Sequence, residues 1–309
     1  MEVKVLDLKQ LETFMTVVEW GSFSDAAKHL YLSQPTVSVH IKQLEEEFDT
    51  ELIKRTTKSI EMTKDGREFY NYAKSISDII SNAKDTFSNK GSSNLGITAS
   101  SIPASYLLPE VIKAYHDKFP EVLITVDQTD SIDATDRVLK GRSNVGLVGS
   151  VSMNSDLKYE KLCEDKLVIV APYNEYFLDM KEREASLEEI LQEPIVSREQ
   201  GSGTLKEAVK MLRALDVDPA NFEIIAVVNS NEALINYVKA GLGISIISEI
   251  AVLEDVRNEN LITFDIDAVE SYRHFYMITR KNSVLSQQMN HFIDFFTTYI
   301  KQNQALYSM

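Results

Sequence analysis

The sequence predicts two architectures in one chain, an all-helical N-terminal part followed by a two-lobed α/β part. Three observations carry this. Residues 1–90 read as nearly continuous amphipathic helix, whereas from residue 91 apolar strand-like runs alternate with helical stretches. Gly91-Ser92-Ser93-Asn94 is a short polar punctuation between them. A chain of 309 residues is long for one core and fits two or three domains at about 100–200 residues each.

The elements follow in order. A helix is predicted over about Asp7–Glu19, with Leu8, Leu11, Phe14, Met15 and Val18 on its buried face. A second spans about Ser24–Leu30, with Ser24 as N-cap and Ala26 and Ala27 inside. Tyr31-Leu32 makes a turn, and Ser33 caps a third helix with Pro35 in its first turn, where a missing N–H costs nothing. Val37, Ile41, Leu44 and Phe48 give that helix an apolar stripe, and Gln34, Thr36, Ser38, His40 and Lys42 give it a polar face. Glu51–Met62 reads as strand-turn-strand, carrying Lys54, Arg55 and Lys58.

A long helix over Lys64–Lys90 carries Phe69, Tyr72, Ala73, Ile76, Ile79, Ile80, Ala83 and Phe87 at three- and four-residue spacing. That stripe either packs on its own domain or meets the same helix of a second chain. Beyond the punctuation, strands are predicted at 95–99, 123–128, 145–148, 167–172, 195–196, 223–228, 244–247, 261–264 and 274–279. Helices fall at 104–119, 131–140, 204–215, 231–239, 250–257 and 286–304. Two doubly wound lobes are the economical arrangement, with crossings near 164–166 and 265–270.

Lys plus Arg total 32 and Asp plus Glu 47, a formal charge of −15, which excludes a protein that coats nucleic acid through bulk charge. The charge is uneven: residues 1–90 hold 12 basic and 15 acidic side chains, so most of the excess belongs to the second part. No run of about 18 apolar residues suits a membrane span, and MEVKVLDLKQ does not read as a secretory signal. The single cysteine, Cys163, rules out an internal disulfide and fits a reducing cytosol, where it is expected to be a small buried residue. The five histidines lie at no metal-binding spacing and no nucleophile elbow is present, so neither an enzyme nor a cofactor is expected. Acidic runs such as Glu45-Glu46-Glu47 read as solvated helix faces.

Ala26-Ala27, a short turn, and Ser33-Gln34-Pro35-Thr36-Val37-Ser38 form the strongest local signal. Small residues let two helices cross closely, and the next helix offers short polar side chains at its N-terminal end. A helix-turn-helix needs this to seat a helix end in the major groove. Gln pairs with adenine through two hydrogen bonds, and Ser and Thr reach bases or phosphates.

Residues 7–67 resemble the winged helix-turn-helix of the LysR-type transcriptional regulators. The matching features are Leu11 with Phe14, Gly21-Ser22-Phe23-Ser24, Ala26-Ala27, Leu32-Ser33-Gln34-Pro35, Ser38, Ile41, Leu44-Glu45, Leu52-Ile53 with Arg55, and Thr63 with Gly66. Length and domain order extend the resemblance over essentially the whole chain. It implies a DNA-binding domain over residues 1–63, a dimerisation helix over 64–90 and an effector-binding domain over 91–309. The last would be periplasmic-binding-protein-like, with lobe 1 about 91–165 and 266–309 and lobe 2 about 166–265. By the same resemblance Gln34, Pro35, Thr36 and Ser38 face the groove, Ser24 and Ser33 sit near phosphates, and Arg55 holds the wing on the backbone, where the strand-turn-strand stretch also brings Lys58. Val39 stands where many members carry a basic residue, a contact passed here to His40 or Lys42. The partners implied are a pseudo-palindromic double-stranded operator and a second chain or three more, giving a homodimer or homotetramer in the cytoplasm.

In the second part, hydroxyls and amides gather where strands end and helices begin, where unpaired N–H groups attract anions. These places are Ser100-Ser101, Thr129-Asp130-Ser131, Gly201-Ser202-Gly203-Thr204 and Asn229-Ser230-Asn231. Arg198 either adds a positive charge there or points to solvent. The resemblance places a small-metabolite effector at Ser100, Ser101, Ser197, Ser202 and Thr204, and the hydroxyl- and amide-rich helix starts add Thr129, Gly203 and Asn229 to the expected site. The run Ser197–Thr204 looks most like members controlling sulfur or cysteine metabolism, which points to sulfate or an amino-acid derivative. The alternative is a solute-binding or transport component with the same two-lobed fold, against which residues 1–90 count.

Overall fold

The computed structural model describes residues 6–55, 60–87, 94–151, 153–266 and 271–303, and the chain divides into two compact units. The first comprises Met1–Lys90 with Asn282–Ser286, the second Gly91–Lys281 with Gln287–Met309.

In the first unit, α1 (Leu8–Trp20) starts at Asp7, whose carboxylate accepts from the Lys9 N–H, and ends at Gly21 with φ +59°. Its buried face is Leu11, Phe14 and Val17 with Thr13 and Thr16, so Leu8 is exposed and Val18 only half-buried. The expected stripe was rotated because the two threonines, turned back onto Lys9 and Glu12 carbonyls, satisfy themselves and pack as small residues. Helix α2 (Phe23–His29) is capped by Ser22, not Ser24: the Ser22 hydroxyl accepts from the Asp25 N–H, and Ser24 lies exposed inside the first turn. Phe23, buried under α1, pulls the helix start one residue earlier. The tight turn places Tyr31 in the left-handed region at φ +55°, fully outside the core, before α3 (Gln34–Glu47).

Strands β1 (Ile53–Arg55) and β2 (Ile60–Met62) pair antiparallel as the two arms of a wing. The tip, including Lys58, and the Arg55 side chain lie outside the described residues. Helix α4 (Lys64–Phe87) opens at Thr63, whose hydroxyl donates to the Glu51 carbonyl and accepts from the Gly66 N–H. A Cβ on Gly66 would overlap the Leu52 carbonyl, so the wing is seated by the absence of a side chain there. Only part of the stripe of α4 packs on its own domain. Phe69 packs edge-on to Phe14 and Phe48, and Tyr70, absent from the expected stripe, is buried with its hydroxyl on Glu19 at 3.0 Å. Farther along, Tyr72 and Ile79 are about half exposed on one face.

The second unit is built on a mixed sheet. Parallel strands β3 (Asn94–Ser100), β4 (Leu123–Thr129) and β5 (Val145–Val148) stand in the order β4-β3-β5. A π-turn (Pro103–Leu107) leads into α5 (Leu108–His116) after β3, and α6 (Ser131–Leu139) follows β4. Strand β6 (Leu157–Pro172) then runs unbroken through the expected crossing at 164–166. Its charged first half hid it from hydropathy, and it joins the lobes in one sheet rather than separating two doubly wound ones.

Lobe 2 continues with α7 (Glu175–Glu182), α8 (Leu187–Ile190), β7 (Ile195–Arg198), α9 (Gly203–Ala214), β8 (Ile224–Val228), α10 (Asn231–Lys239), β9 (Ser245–Ser248), α11 (Leu253–Arg257) and β10 (Leu261–Asp265). Strands β9 and β10 pair with the second half of β6, while β7 pairs in parallel with β8. The return, β11 (Tyr272–Arg280), pairs with the first half of β6 and with β5, and α12 (Gln287–Gln302) closes the fold. Residues 267–270 of the expected second crossing lie outside the described residues. Leu167, Ile169, Ala171, Met211, Leu212 and Ile244 centre the core of lobe 2.

Candidate functional site

In the first unit the polar end of α3 is assembled by its cap. The Ser33 hydroxyl accepts from the Thr36 N–H at 3.2 Å and lies 2.7 Å from the Thr36 hydroxyl. Gln34 and Pro35 are exposed beside it, and Gln34 reaches Ser38 at 3.4 Å. Val37, Ile41 and Leu44 are fully buried behind them, so the face opposite is fixed by the core. Ser33, Gln34, Pro35, Thr36 and Ser38 therefore stand together on the first turns of a helix whose positive dipole end is open to an anion.

Two other expected contributors are drawn elsewhere. His40 Nδ1 lies 2.9 Å from the Thr13 hydroxyl, fastening α3 to α1, and Lys42 pairs with Glu46 at 3.3 Å on the surface. Ser24 sits apart on α2. The acidic run suggests a solvated face, but Glu45 Oε1 accepts from the Leu52 and Ile53 N–H groups at 2.9 and 3.1 Å. It ties the recognition helix to the wing, a role invisible in a run of three glutamates.

In the second unit the parallel strands end on one edge. Ser100 and Thr129 are register partners at the ends of β3 and β4, and Gly149-Ser150 follows β5. Ser100 is buried and Ser101 half-buried; the Thr129 hydroxyl donates to Asp133 at 2.6 Å. On lobe 2, Ser202 caps α9 by accepting from the Leu205 N–H, and Ser202 and Thr204 are both buried. A Cβ at Gly201 would come within 2.5 Å of Asp130 Oδ2, and one at Gly203 within 2.5 Å of Ser131 Oγ and 3.3 Å of Ser150 Cβ. The glycines thus let the 201–203 loop close against the start of α6.

Beside this closure lies a cavity of about 320 Å3, walled by Ile132, Asp136, Leu139, Met153, the 200–203 loop and Lys206. Ser131 Oγ, at its edge, is buried and makes no hydrogen bond. Of the expected ligand residues, Ser202 and Gly203 line it, whereas Ser100, Ser101, Thr129, Ser197, Thr204 and Asn229 do not. Ser197 hydrogen-bonds the Arg198 carbonyl and Asn229 is exposed, both at the far edge of β7 and β8.

Arg198 is not available to a ligand. It is buried and held by both Glu199 carboxylate oxygens, the Asn231 side chain and the Asn229 carbonyl. A buried cation that does approach the start of α9 is Arg273 of β11, unmarked in the sequence because it stands in an ordinary-looking strand. Its Nε pairs with Asp165 at 2.7 Å, and Nη2 is 3.4 Å from the Thr204 hydroxyl. Tyr106, in the π-turn just past Ser100-Ser101, was also missed; burial and the nearby Asp255 and Glu232 carboxylates raise its pKa. Cys163 is buried on β6, and burial with the adjacent Asp165 charge pushes its thiol up to about 12, so it is neither a nucleophile nor a ready redox sensor.

Residues 8–67 match the family "Bacterial regulatory helix-turn-helix protein, lysR family", and residues 88–301 match the "LysR substrate binding domain". The chain is 30% identical over 296 residues to the HTH-type transcriptional regulator MJ0300 of Methanocaldococcus jannaschii, covering 94% of this chain and 98% of the relative. It is 32% identical over 251 residues to the HTH-type transcriptional regulator CysL of Bacillus subtilis, covering 80% and 82%. Full-length LysG of Corynebacterium glutamicum, with arginine bound as effector, superposes with a TM-score of 0.71 at 16% identity, covering 96% and 99%.

Proposed function

This chain belongs to the LysR family of transcriptional regulators, and from that premise we propose how its own residues read DNA and sense a ligand. As a member it is a DNA-binding regulator that works as an oligomer and responds to a small-molecule effector. In the proposed reading, Gln34, Pro35, Thr36 and Ser38 enter the major groove, with Gln34 as the base-reading side chain. Ser33 fixes the helix end, His40 fixes its angle against α1, and Arg55 and Lys58 of the wing meet the backbone. Residues 1–63 are the DNA-binding domain, 64–90 the dimerisation helix and 91–309 the effector domain in this reading, which places the protein in the cytoplasm.

The observation that carries it is the capped, exposed polar end of α3 held rigidly by a buried apolar face and by Glu45. The helix-turn-helix match over residues 8–67 disfavours a transport component. Among the described residues no helix is long and apolar enough to cross a membrane. The effector acts only if it binds one arrangement of the lobes better than another; the Gly201–Gly203 closure against α6 is the contact such a ligand would bias. Resemblance of Ser197–Thr204 to sulfur regulators supports an effector from sulfur or amino-acid metabolism.

The test is selection of genomic fragments by the full chain followed by a mobility shift. A Gln34→Ala variant is expected to lose about tenfold for the selected site while keeping non-specific binding, the scale of one bidentate base contact. Failure of the intact protein to retain any duplex at low salt would overturn the reading.

A further inference from the structure

A second cavity, of about 210 Å3, lies on the other side of Ser150 from the larger one, and Ser150 lines both. Its walls include Glu207, Lys210, Met211, Tyr272, Arg273 and Tyr276. Two groups of opposite charge line it, Arg273 with Nη1 outside any hydrogen bond and Glu207 with Oε2 held only in a long pair to the exposed Lys210. Arg273, whose side chain is only 5% exposed, gives Nε to Asp165 and points Nη2 at Thr204, while Nη1 makes no hydrogen bond. Nη1 stands 3.6 Å from where a Cβ on Gly149 would be. Asp165 is itself fixed by the Ser248 hydroxyl at 2.5 Å, so the guanidinium cannot swing away. Glu207, 17% exposed, accepts from Ser150 at 2.8 Å through Oε1, and its Oε2 is 3.6 Å from Lys210 Nζ.

The balance of charge selects the ligand. A bare anion gains Arg273 but must lie near Glu207, and a bare cation meets the reverse. Lys210 is mostly exposed and engaged with Glu207, and His274 is turned to Glu164 at 3.5 Å, so neither tips the cavity towards an anion. A molecule carrying both charges satisfies both groups. The volume equals about seven water molecules, room for a small amino acid and more than an inorganic oxyanion fills. Met211 and the tyrosines supply apolar wall for a short side chain.

We propose that this cavity is a binding site for a small zwitterion of the α-amino-acid class, its carboxylate on Arg273 Nη1 and its ammonium on Glu207 Oε2. The proposal rests on the reading of this unit as effector-binding and specifies the ligand and the residues. Because Glu207 Oε1 holds Ser150, the residue shared with the larger cavity, a ligand on Oε2 draws on the same carboxylate that makes a contact between the lobes.

Calorimetric titration of the full chain with the standard L-amino acids tests it. At least one small amino acid is expected to saturate; its methyl ester, lacking the carboxylate, and its α-hydroxy acid, lacking the ammonium, should each bind about tenfold or more weakly, the scale of a lost charge-assisted hydrogen bond. Glu207→Gln keeps an oxygen for Ser150 and is expected to weaken the amino acid about tenfold with the thermal midpoint unchanged; Arg273→Lys should weaken binding likewise. If Arg273→Lys does not fold, Glu207→Gln and the ligand analogues decide. Absence of heat from every amino acid up to about 10 mM, where binding weaker than about −3 kcal/mol would begin, overturns the proposal. So does sulfate or the hydroxy acid binding as tightly as the amino acid. Retention of operator DNA by the same preparation separates these failures from failure of the regulator reading.

Discussion

Replacing Glu45 with alanine tests whether the wing is held by the recognition helix. Glu45 Oε1 accepts from the Leu52 and Ile53 N–H groups at 2.9 and 3.1 Å, and both residues are buried. Hydrogen bonds to a charged acceptor contribute about 1.5–3 kcal/mol each, and an amide left unpaired in a buried place costs about 1–3 kcal/mol. Glu45 is half-buried, so water replaces part of the loss, and about 2–4 kcal/mol is expected for Glu45→Ala. For a unit of this size that is about 10 °C or more in the midpoint of its unfolding. Glu46→Ala is the control: one residue on, it loses only an exposed pair with Lys42, worth about 0.5 kcal/mol or less. Glu45→Gln keeps one acceptor and should fall between. Calorimetric melts of the full chain resolve the first unit's transition, and mobility shifts should show weaker binding for Glu45→Ala alone. Equal melting of the Glu45 and Glu46 alanine variants would refute the reasoning, because only Glu45 makes the wing contact.

Three further outcomes are expected. Ser33→Ala removes the α3 cap and its link to Thr36, costing about 1 kcal/mol in stability and weakening operator binding in a shift assay; unchanged melting would contradict the cap. Ile79→Asp on α4, where Ile79 is 48% exposed in the single chain, should shift sedimentation towards smaller species if that face meets a second chain. Cys163, whose thiol is pushed up to about 12 by burial, stays protonated and should resist iodoacetamide at pH 8 until urea is added; the raised value also means its stabilising contribution is full below about pH 9 and lost as pH rises towards 12.

Much of this organisation is written in local patterns. The helix-turn-helix was legible because caps, a proline in the first turn, and paired alanines act over a few residues, and each does its work without help from afar. Even so local pattern points to Ser24 as the cap, since Ser22 and Ser24 are equivalent in type and only the burial of Phe23 chooses between them. Strand β6 was half visible: Leu167–Pro172 is apolar because lobe 2 covers both faces, while Leu157–Lys166 carries charges on an outer face and reads as loop. The cavities were least legible. Their polar groups come from strand ends and from α6, α9 and β11, and Arg273 became notable only through a partner 108 residues away. Arg198 shows the converse, a positive charge beside a glycine-rich loop that its neighbour Glu199 consumes.

The acidity of the chain bears on how it should hold DNA. Residues 1–90 carry 12 basic and 15 acidic side chains, so no broad positive field draws in phosphate. Among the described residues near the helix end and wing, Lys42 is paired with Glu46, and Arg67 donates to the Met62 carbonyl. With Lys54, Lys64 and the wing cations, about three phosphate contacts per protomer is a generous allowance, or about six for a dimer, which gives a slope near −5 in log affinity against log salt. A slope approaching −10, measured by filter binding between low and moderate salt, would mean that cations outside this face do the holding. The shallower value would place discrimination in the bases touched by Gln34 and its neighbours and in the spacing of two half-sites, because a surface this acidic gains little from phosphate alone.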